Sequence, residues 1–318
     1  MVHHLPALDA LSGVSFAKAH ATGNDFVMLS DPEGSLQITS ELVRAVCDRQ
    51  QGIGADGLIR AVPARLSDEV APSREGGPDR GSEVTRTEDM WFMDYWNSDG
   101  SVAEMCGNGV RAFAHFLQAE GCVDLAEGEE ITIVTRAGER TVRRVAEGYA
   151  TGMGMWSFID PELAQSKASD SLVIAQGLAD PRPALSISMG NPHTVVALSE
   201  AGDLDELDLT QAPQVDPVPP HGTNVEFVVP SDPLVIEGRG RVRMRVHERG
   251  VGETLSCGTG ACAAAAAVRV WAAGDGVDTW VVAVPGGEVL VRFLSRSDGA
   301  EDVELSGPAE LVFTGAMG

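Results

Sequence analysis

Short runs of apolar and β-branched residues dominate this chain, with few long stretches of helical spacing. Residues 14–18 read as an opening strand, the turn at 21–25 carries Gly23 and Asn24, and residues 26–29 resume strand character. Thr39, Ser40 and Glu41 start a helix whose apolar positions are Leu42, Val43, Val46 and Cys47. Further strand-like runs stand at 58–62, 131–135, 141–145, 186–189, 225–229, 241–246, 280–284, 288–293 and 303–305. Strands outnumber well-separated helices, so the pattern predicts an α+β fold rather than alternating βαβ units. Two stretches break it. Residues 63–89, rich in Pro, Gly, Ser and charge, read as a mobile surface insertion, and residues 203–221, with four prolines, read as a second loose connection.

Composition narrows the field. At 318 residues the length suggests about two domains. A net charge of −24 argues against electrostatic binding to nucleic acid or to an anionic membrane. The N-terminal residues lack a basic patch and an apolar stretch, and the longest apolar run, 261–268, is far short of the roughly 18 residues that span a membrane. Five cysteines are too few, and odd in number, for a disulfide scaffold. The expectation is a soluble cytoplasmic protein. The run Gly52-Ile53-Gly54-Ala55-Asp56-Gly57 matches the dinucleotide fingerprint letter for letter, but a helix precedes it and a strand follows. That order is reversed from the one that points a helix N-terminus at a pyrophosphate.

The most informative feature is a repeat. Cys106-Gly107-Asn108-Gly109 and Cys257-Gly258-Thr259-Gly260 both read Cys-Gly-polar-Gly and both enter a helix, 151 residues apart (257 − 106). The spacing is close to half the chain, which predicts a two-domain pseudo-repeat with one cysteine at one helix N-terminus in each half. Such a position favours thiolate over thiol and cradles an anion such as a carboxylate. Two such ends acting on one carbon would remove a proton from one face and return one to the other, the geometry of a two-base racemase or epimerase. An isolated cysteine is more often a small core residue, and Cys47, Cys122 and Cys262 read that way. Zinc would want closer ligand clusters, and a pyridoxal-phosphate racemase would have only Lys18 and Lys167 to choose from.

At these residues the sequence resembles the diaminopimelate epimerase family. The likeness runs through Thr22-Gly23-Asn24-Asp25-Phe26, Gly52 to Gly57, and Asn97-Ser98-Asp99-Gly100-Ser101 leading to Cys106. It continues through Gly190-Asn191-Pro192-His193, Thr223-Asn224-Val225, and His247 to Thr254 leading to Cys257. The resemblance implies an isomerase of amino-acid biosynthesis that converts LL-2,6-diaminopimelate to the meso isomer for lysine and peptidoglycan precursors, with no cofactor and no metal. It makes Cys106 and Cys257 the two catalytic bases. The backbone of Gly107, Asn108, Gly258 and Thr259 would hold the reacting carboxylate. Asn24, Asn97, Asn191, Asn224, Glu248 and Arg249 would recognise the two amino-acid ends, Arg249 with Asn97, Asn191 and Asn224 at the distal carboxylate and Glu248 at the reacting ammonium. His193 and Glu248 would tune the thiol pKa values. The implied fold is two similar pseudo-symmetric domains, each a barrel-like sheet around a central helix, with the active site in the cleft between them. The domains would cover 14–148 plus 307–318, carrying the 63–89 insertion, and 149–306, and the usual assembly is a homodimer.

Two positions depart from the family pattern. Gly57 stands where some relatives carry a substrate-contacting glutamine, and Phe313 where some carry a tyrosine implicated in dimer contact. Rival readings are proline racemase or hydroxyproline epimerase, whose first motif is typically Cys-Gly-His-Gly, the phenazine-biosynthesis isomerase type, and a non-catalytic protein using the thiols as a disulfide switch. A closed, empty cleft would also let the two thiols of an epimerase oxidise to a disulfide.

Overall fold

The computed structural model describes residues 6–67, 90–272 and 276–318. Residues 68–89, most of the predicted insertion, lie outside the described residues. The chain divides into two compact units, 1–151 with 308–318, and 152–307.

The first unit contains β1 (Ser15–Ala21), β2 (Asn24–Ser30), α1 (Ser40–Cys47), β3 (Gly57–Pro63), β4 (Trp91–Asn97), α2 (Gly107–Ala119), β5 (Glu130–Thr135), β6 (Gly138–Val145) and the start of β7 (Gly148–Met155). The second contains β8 (Ser157–Phe158), α3 (Pro161–Lys167), β9 (Ser171–Ile174), β10 (Arg182–Ser188), β11 (Pro192–Ala197), α4 (Ala201–Asp205), β12 (Gln214–Asp216), β13 (Asn224–Ile236), β14 (Arg239–Glu248), β15 (Gly252–Thr254), α5 (Gly258–Trp271), β16 (Thr279–Val284), β17 (Gly287–Ser295) and β18 (Glu301–Gly307). The last strand, β19 (Glu310–Ala316), belongs to the first unit and pairs antiparallel with β1.

The α+β expectation is borne out, and the repeat shows in the strand pairing. In the first unit β1–β2 is antiparallel, β2–β3 parallel, β3–β4 antiparallel, β4–β5 parallel and β5–β6 antiparallel. In the second, β10–β11, β11–β13, β13–β14, β14–β16 and β16–β17 repeat that alternation step for step. In each unit the strands curl around one helix: α2 touches β1, β2, β3, β6 and β19, and α5 touches seven strands from β10 to β18. That position explains the composition of α5. Residues 261–268, six of them alanine, are almost fully buried, as a helix enclosed by strands on all sides must be apolar all round. The apolar run is therefore a core helix, and none of the described helices is long and apolar enough to cross a membrane.

α1 forms as its pattern predicts. Thr39 accepts a hydrogen bond from the Leu42 amide, and Leu42, Val43, Val46 and Cys47 are buried. The loose reading of 203–221 needs correction. Leu204, Leu207 and Leu209 are buried against Val173 and Phe227, and Arg245 donates to the carbonyls of Leu204 and Leu207 at 2.6 and 3.0 Å. Buried leucines and a cation capping the carbonyls order a segment that its prolines alone would leave open.

Candidate active site

Each unit carries a candidate cluster at the start of its central helix. Cys106 is the N-cap of α2 and Cys257 the N-cap of α5, both with extended backbone. The first helical hydrogen bonds run from Val110 to Cys106 and from Ala261 to Cys257, each 2.9 Å, so the amides of 107–109 and 258–260 lie ahead of the helical ladder. All five cysteines are free thiols. Cys47 is buried in α1, and burial pushes its thiol up to about 12, as befits a structural cysteine.

In the first unit the Cys106 Sγ lies 3.6 Å from Asn24 Oδ1, which also accepts from Asn108 Nδ2 at 3.4 Å. Asn24 is held from behind, because its Nδ2 donates to Asp56 at 2.8 Å. Arg49 clamps Asp56 and Asp25, and Lys18 pairs with Asp25 at 2.7 Å. Burial alone would raise the Asp25 carboxyl, but Arg49 and Lys18 outweigh it and leave it at about 2. Asn108 is fixed by the buried Arg111, which donates to its Oδ1 at 2.9 Å. Asn97 stands apart from this cluster and donates to Ser101 at 3.0 Å. Gly57 pairs with Asn97 across β3 and β4, and a Cβ there would sit 2.5 Å from Trp96 O and 2.7 Å from the Tyr95 ring. No side chain fits at that position, so any substrate contact comes from its backbone.

In the second unit the Cys257 Sγ lies 3.6 Å from Thr259 Oγ1, and the Glu248 carboxyl is within hydrogen-bond reach of the same thiol. Thr259 Oγ1 accepts from Asn191 Nδ2 at 3.4 Å, and Asn191 Oδ1 is 3.0 Å from His193 Nε2. Asn224 donates to Pro192 O and accepts the Arg249 backbone N–H, both at 3.0 Å, and the exposed Arg249 guanidinium reaches His221 O at 2.7 Å. Burial raises the Glu248 carboxyl and pushes the Cys257 thiol well above its ordinary value, with the charges of Glu248 and Glu226 adding to the rise at sulfur. The expected lowering by the helix N-terminus is therefore overturned at Cys257. The Gly260 amide does favour thiolate there, but desolvation and two carboxylates win.

The corresponding positions line up. Asn97 and Glu248 each stand nine residues before their cysteine, and Asn24 and Asn191 each stand two residues before the first register partner of the next parallel strand, Phe26 with Gly57 and His193 with Asn224. Three contributors escape sequence reading: Asp56 behind Asn24, Arg111 behind Asn108, and Glu226, whose Oε1 is 2.7 Å from His193 Nδ1. Glu226 alone left a signal, as an acid inside the apolar run Val225-Glu226-Phe227-Val228-Val229. Among the described residues no group of three or more His, Cys, Asp or Glu is placed to hold a metal ion.

Comparison with known proteins identifies the family. The family model described as diaminopimelate epimerase matches residues 16–159 and 185–312. A diaminopimelate epimerase of Streptomyces coelicolor is 42% identical over 314 residues, covering 95% of this chain and 94% of that one. One from Thermobifida fusca is 43% identical over 303 residues, covering 94% and 96%. Among solved structures, a PhzF-family phenazine biosynthesis protein of Bacillus anthracis superposes with a TM-score of 0.65 at 15% identity, covering 95% of this chain and 98% of its own, a likeness of fold.

Proposed function

The chain belongs to the diaminopimelate epimerase family, and on that premise we propose that it interconverts LL- and meso-2,6-diaminopimelate through two-base proton transfer by Cys106 and Cys257. The observation that carries this reading is the matched pair of N-capping cysteines on the two central helices, inside a family match that covers nearly the whole chain. One cysteine, as thiolate, removes the α proton while the other, as thiol, delivers a proton to the opposite face. Before the next turnover the first cysteine, now a thiol, gives up its proton and the second, now a thiolate, regains one. The raised Cys257 thiol suits the donor role at rest. The negative charge that builds on the reacting carboxylate is met by the amides of Gly107, Asn108, Gly258 and Thr259. Asn24 and Glu248, each beside a thiol, meet the reacting amino acid end, while Asn97, Asn191, Asn224 and Arg249 hold the distal end, the arginine pairing with its carboxylate.

The assembly is a cytoplasmic homodimer with β19 at its contact. Support comes from Val312 and Phe313, 55% and 48% exposed, with Phe313 edge-on to Phe16 at 6.0 Å. Light scattering of the purified protein at twice the chain mass is the expected result.

The direct test is LL-diaminopimelate with reduced enzyme in D₂O, without added cofactor, followed by α-proton NMR and chiral chromatography. Meso product carrying deuterium at the inverted carbon is expected, and Cys106→Ala or Cys257→Ala should lower turnover by at least about 1000-fold. Folded, reduced protein giving neither exchange nor meso isomer would refute the substrate assignment, and proline and hydroxyproline would be tried next.

A further inference from the structure

The two units differ at one pair of buried positions. His193 and Glu226 in β11 and β13 occupy the register places that Phe26 and Ile59 hold in β2 and β3. His193 pairs with Asn224 and Val195 with Glu226, as Phe26 pairs with Gly57 and Met28 with Ile59. Both lower positions press on the first turn of the central helix. A Cβ on Gly109 would lie 3.3 Å from Ile59 Cδ1, and one on Gly260 would lie 2.7 Å from Glu226 Oε1 and 3.3 Å from Cys257 Sγ. The first unit thus shows that this fold accepts an apolar pair here. The second unit instead buries an imidazole and a carboxylate completely.

That choice opposes stability. A buried carboxylate is tolerated when its oxygens are paired, yet only Oε1 has a partner, His193 Nδ1 at 2.7 Å, and Oε2 has none among the described residues. Polar groups kept at such positions against the local rule mark functional sites. From His193 the contacts run on through Asn191 and Thr259 to the Cys257 sulfur. The charged or titratable groups acting around that thiol are Glu248 from β14, Glu226 from β13 and His193 from β11.

We propose that Glu226 is a positioning residue for Cys257, accepting the Nδ1 proton of His193 and so holding the imidazole with Nε2 toward Asn191 and the Asn191–Thr259 pair against the thiol. This rests on Cys257 serving as one of the two bases. Glu226 positions the thiol through His193, its charge also bears on the sulfur, and Gly260 makes the room it needs. Cys106 packs in the cluster that holds Phe26 and Ile59 and lies beside Asn24, so the two thiols have different surroundings.

The test uses Glu226→Gln, Glu226→Asp and the double variant His193→Phe/Glu226→Ile, which installs the first unit's own residues and keeps the core filled. Glu226→Gln is expected to lower kcat about 10- to 100-fold with KM within about 2-fold, Glu226→Asp to recover part of the loss, and the double variant to fold with an undiminished Tm but turn over at least about 100-fold more slowly. Nitrogen-15 NMR of labelled histidines should show a proton on His193 Nδ1 in the wild type, its signal identified by absence from the double variant. A double variant with wild-type kcat, or a wild-type His193 without a proton on Nδ1, overturns the proposal while leaving the epimerase reading intact. A wild type inactive on diaminopimelate would overturn both.

Discussion

Cys106 and Cys257 share a motif and a place at a helix start, yet their neighbours set their chemistry apart. Glu248 and Glu226 hold negative charge beside the Cys257 sulfur, and its burial adds to the rise. Removing one of those charges should ease ionisation, so Glu248→Gln should shift the pH profile of Cys257 alkylation downward, read by peptide mass spectrometry. A profile that stays in place or moves up would contradict that electrostatic account. Asp25 shows the opposite balance. Its carboxyl lies at about 2 in the fold, and it is 16% exposed between Lys18 and Arg49. A depressed carboxyl stabilises the fold above its unfolded pKa, and that contribution is lost as pH falls through the folded value. Asp25→Asn should therefore cost about 2 kcal/mol at pH 7 and roughly half as much near pH 3, measured by urea unfolding at both. The cysteines, asparagines and glycines of the two candidate clusters are legible in the sequence because chemistry fixes residue type at fixed local spacing. Arg111 and Asp56 are not, because each acts on a residue it meets only after folding: Arg111 on Asn108 one helical turn away, and Asp56 on Asn24 across the β2–β3 register.

At the scale of elements, tight packing makes a small residue obligatory at particular strand positions. Gly240 in β14 pairs with Trp280 in β16, and a Cβ there would lie 2.4 Å from the buried indole. Gly240→Ala should lower stability by about 2 kcal/mol, seen as a reduced urea midpoint with the slope unchanged. Strands with simple alternation, such as β14 with its arginines outward and Val242, Met244 and Val246 inward, declare themselves in the sequence. β4 and β11 do not. Asp94 interrupts the apolar face of β4 and is buried, held by Arg60, Arg136 and the Trp96 indole. His193 interrupts β11 and is held by Glu226. A polar residue inside a strand looks like a break until the partner that satisfies it is known.

At the scale of the whole molecule, each unit has its own core, and β7 carries the chain from one to the other. A fragment spanning 148–307 should fold cooperatively by circular dichroism, whereas 6–151 without residues 308–318 leaves β1 unpaired on one side and should melt broadly or aggregate. Neither fragment should epimerise diaminopimelate, because each holds only one of the two N-capping cysteines. The sequence by itself determined the α+β class, the repeat and the family, and it named most of the candidate site residues. Those depend on local pattern and on chemistry that admits few residue types. Tertiary structure alone decided which groups press on each thiol, that Cys257 is pushed up rather than down, and that a buried His193–Glu226 pair stands where the other unit has Phe26 and Ile59. Burial and electrostatic coupling depend on distances between residues far apart in the chain, and only folding sets those distances.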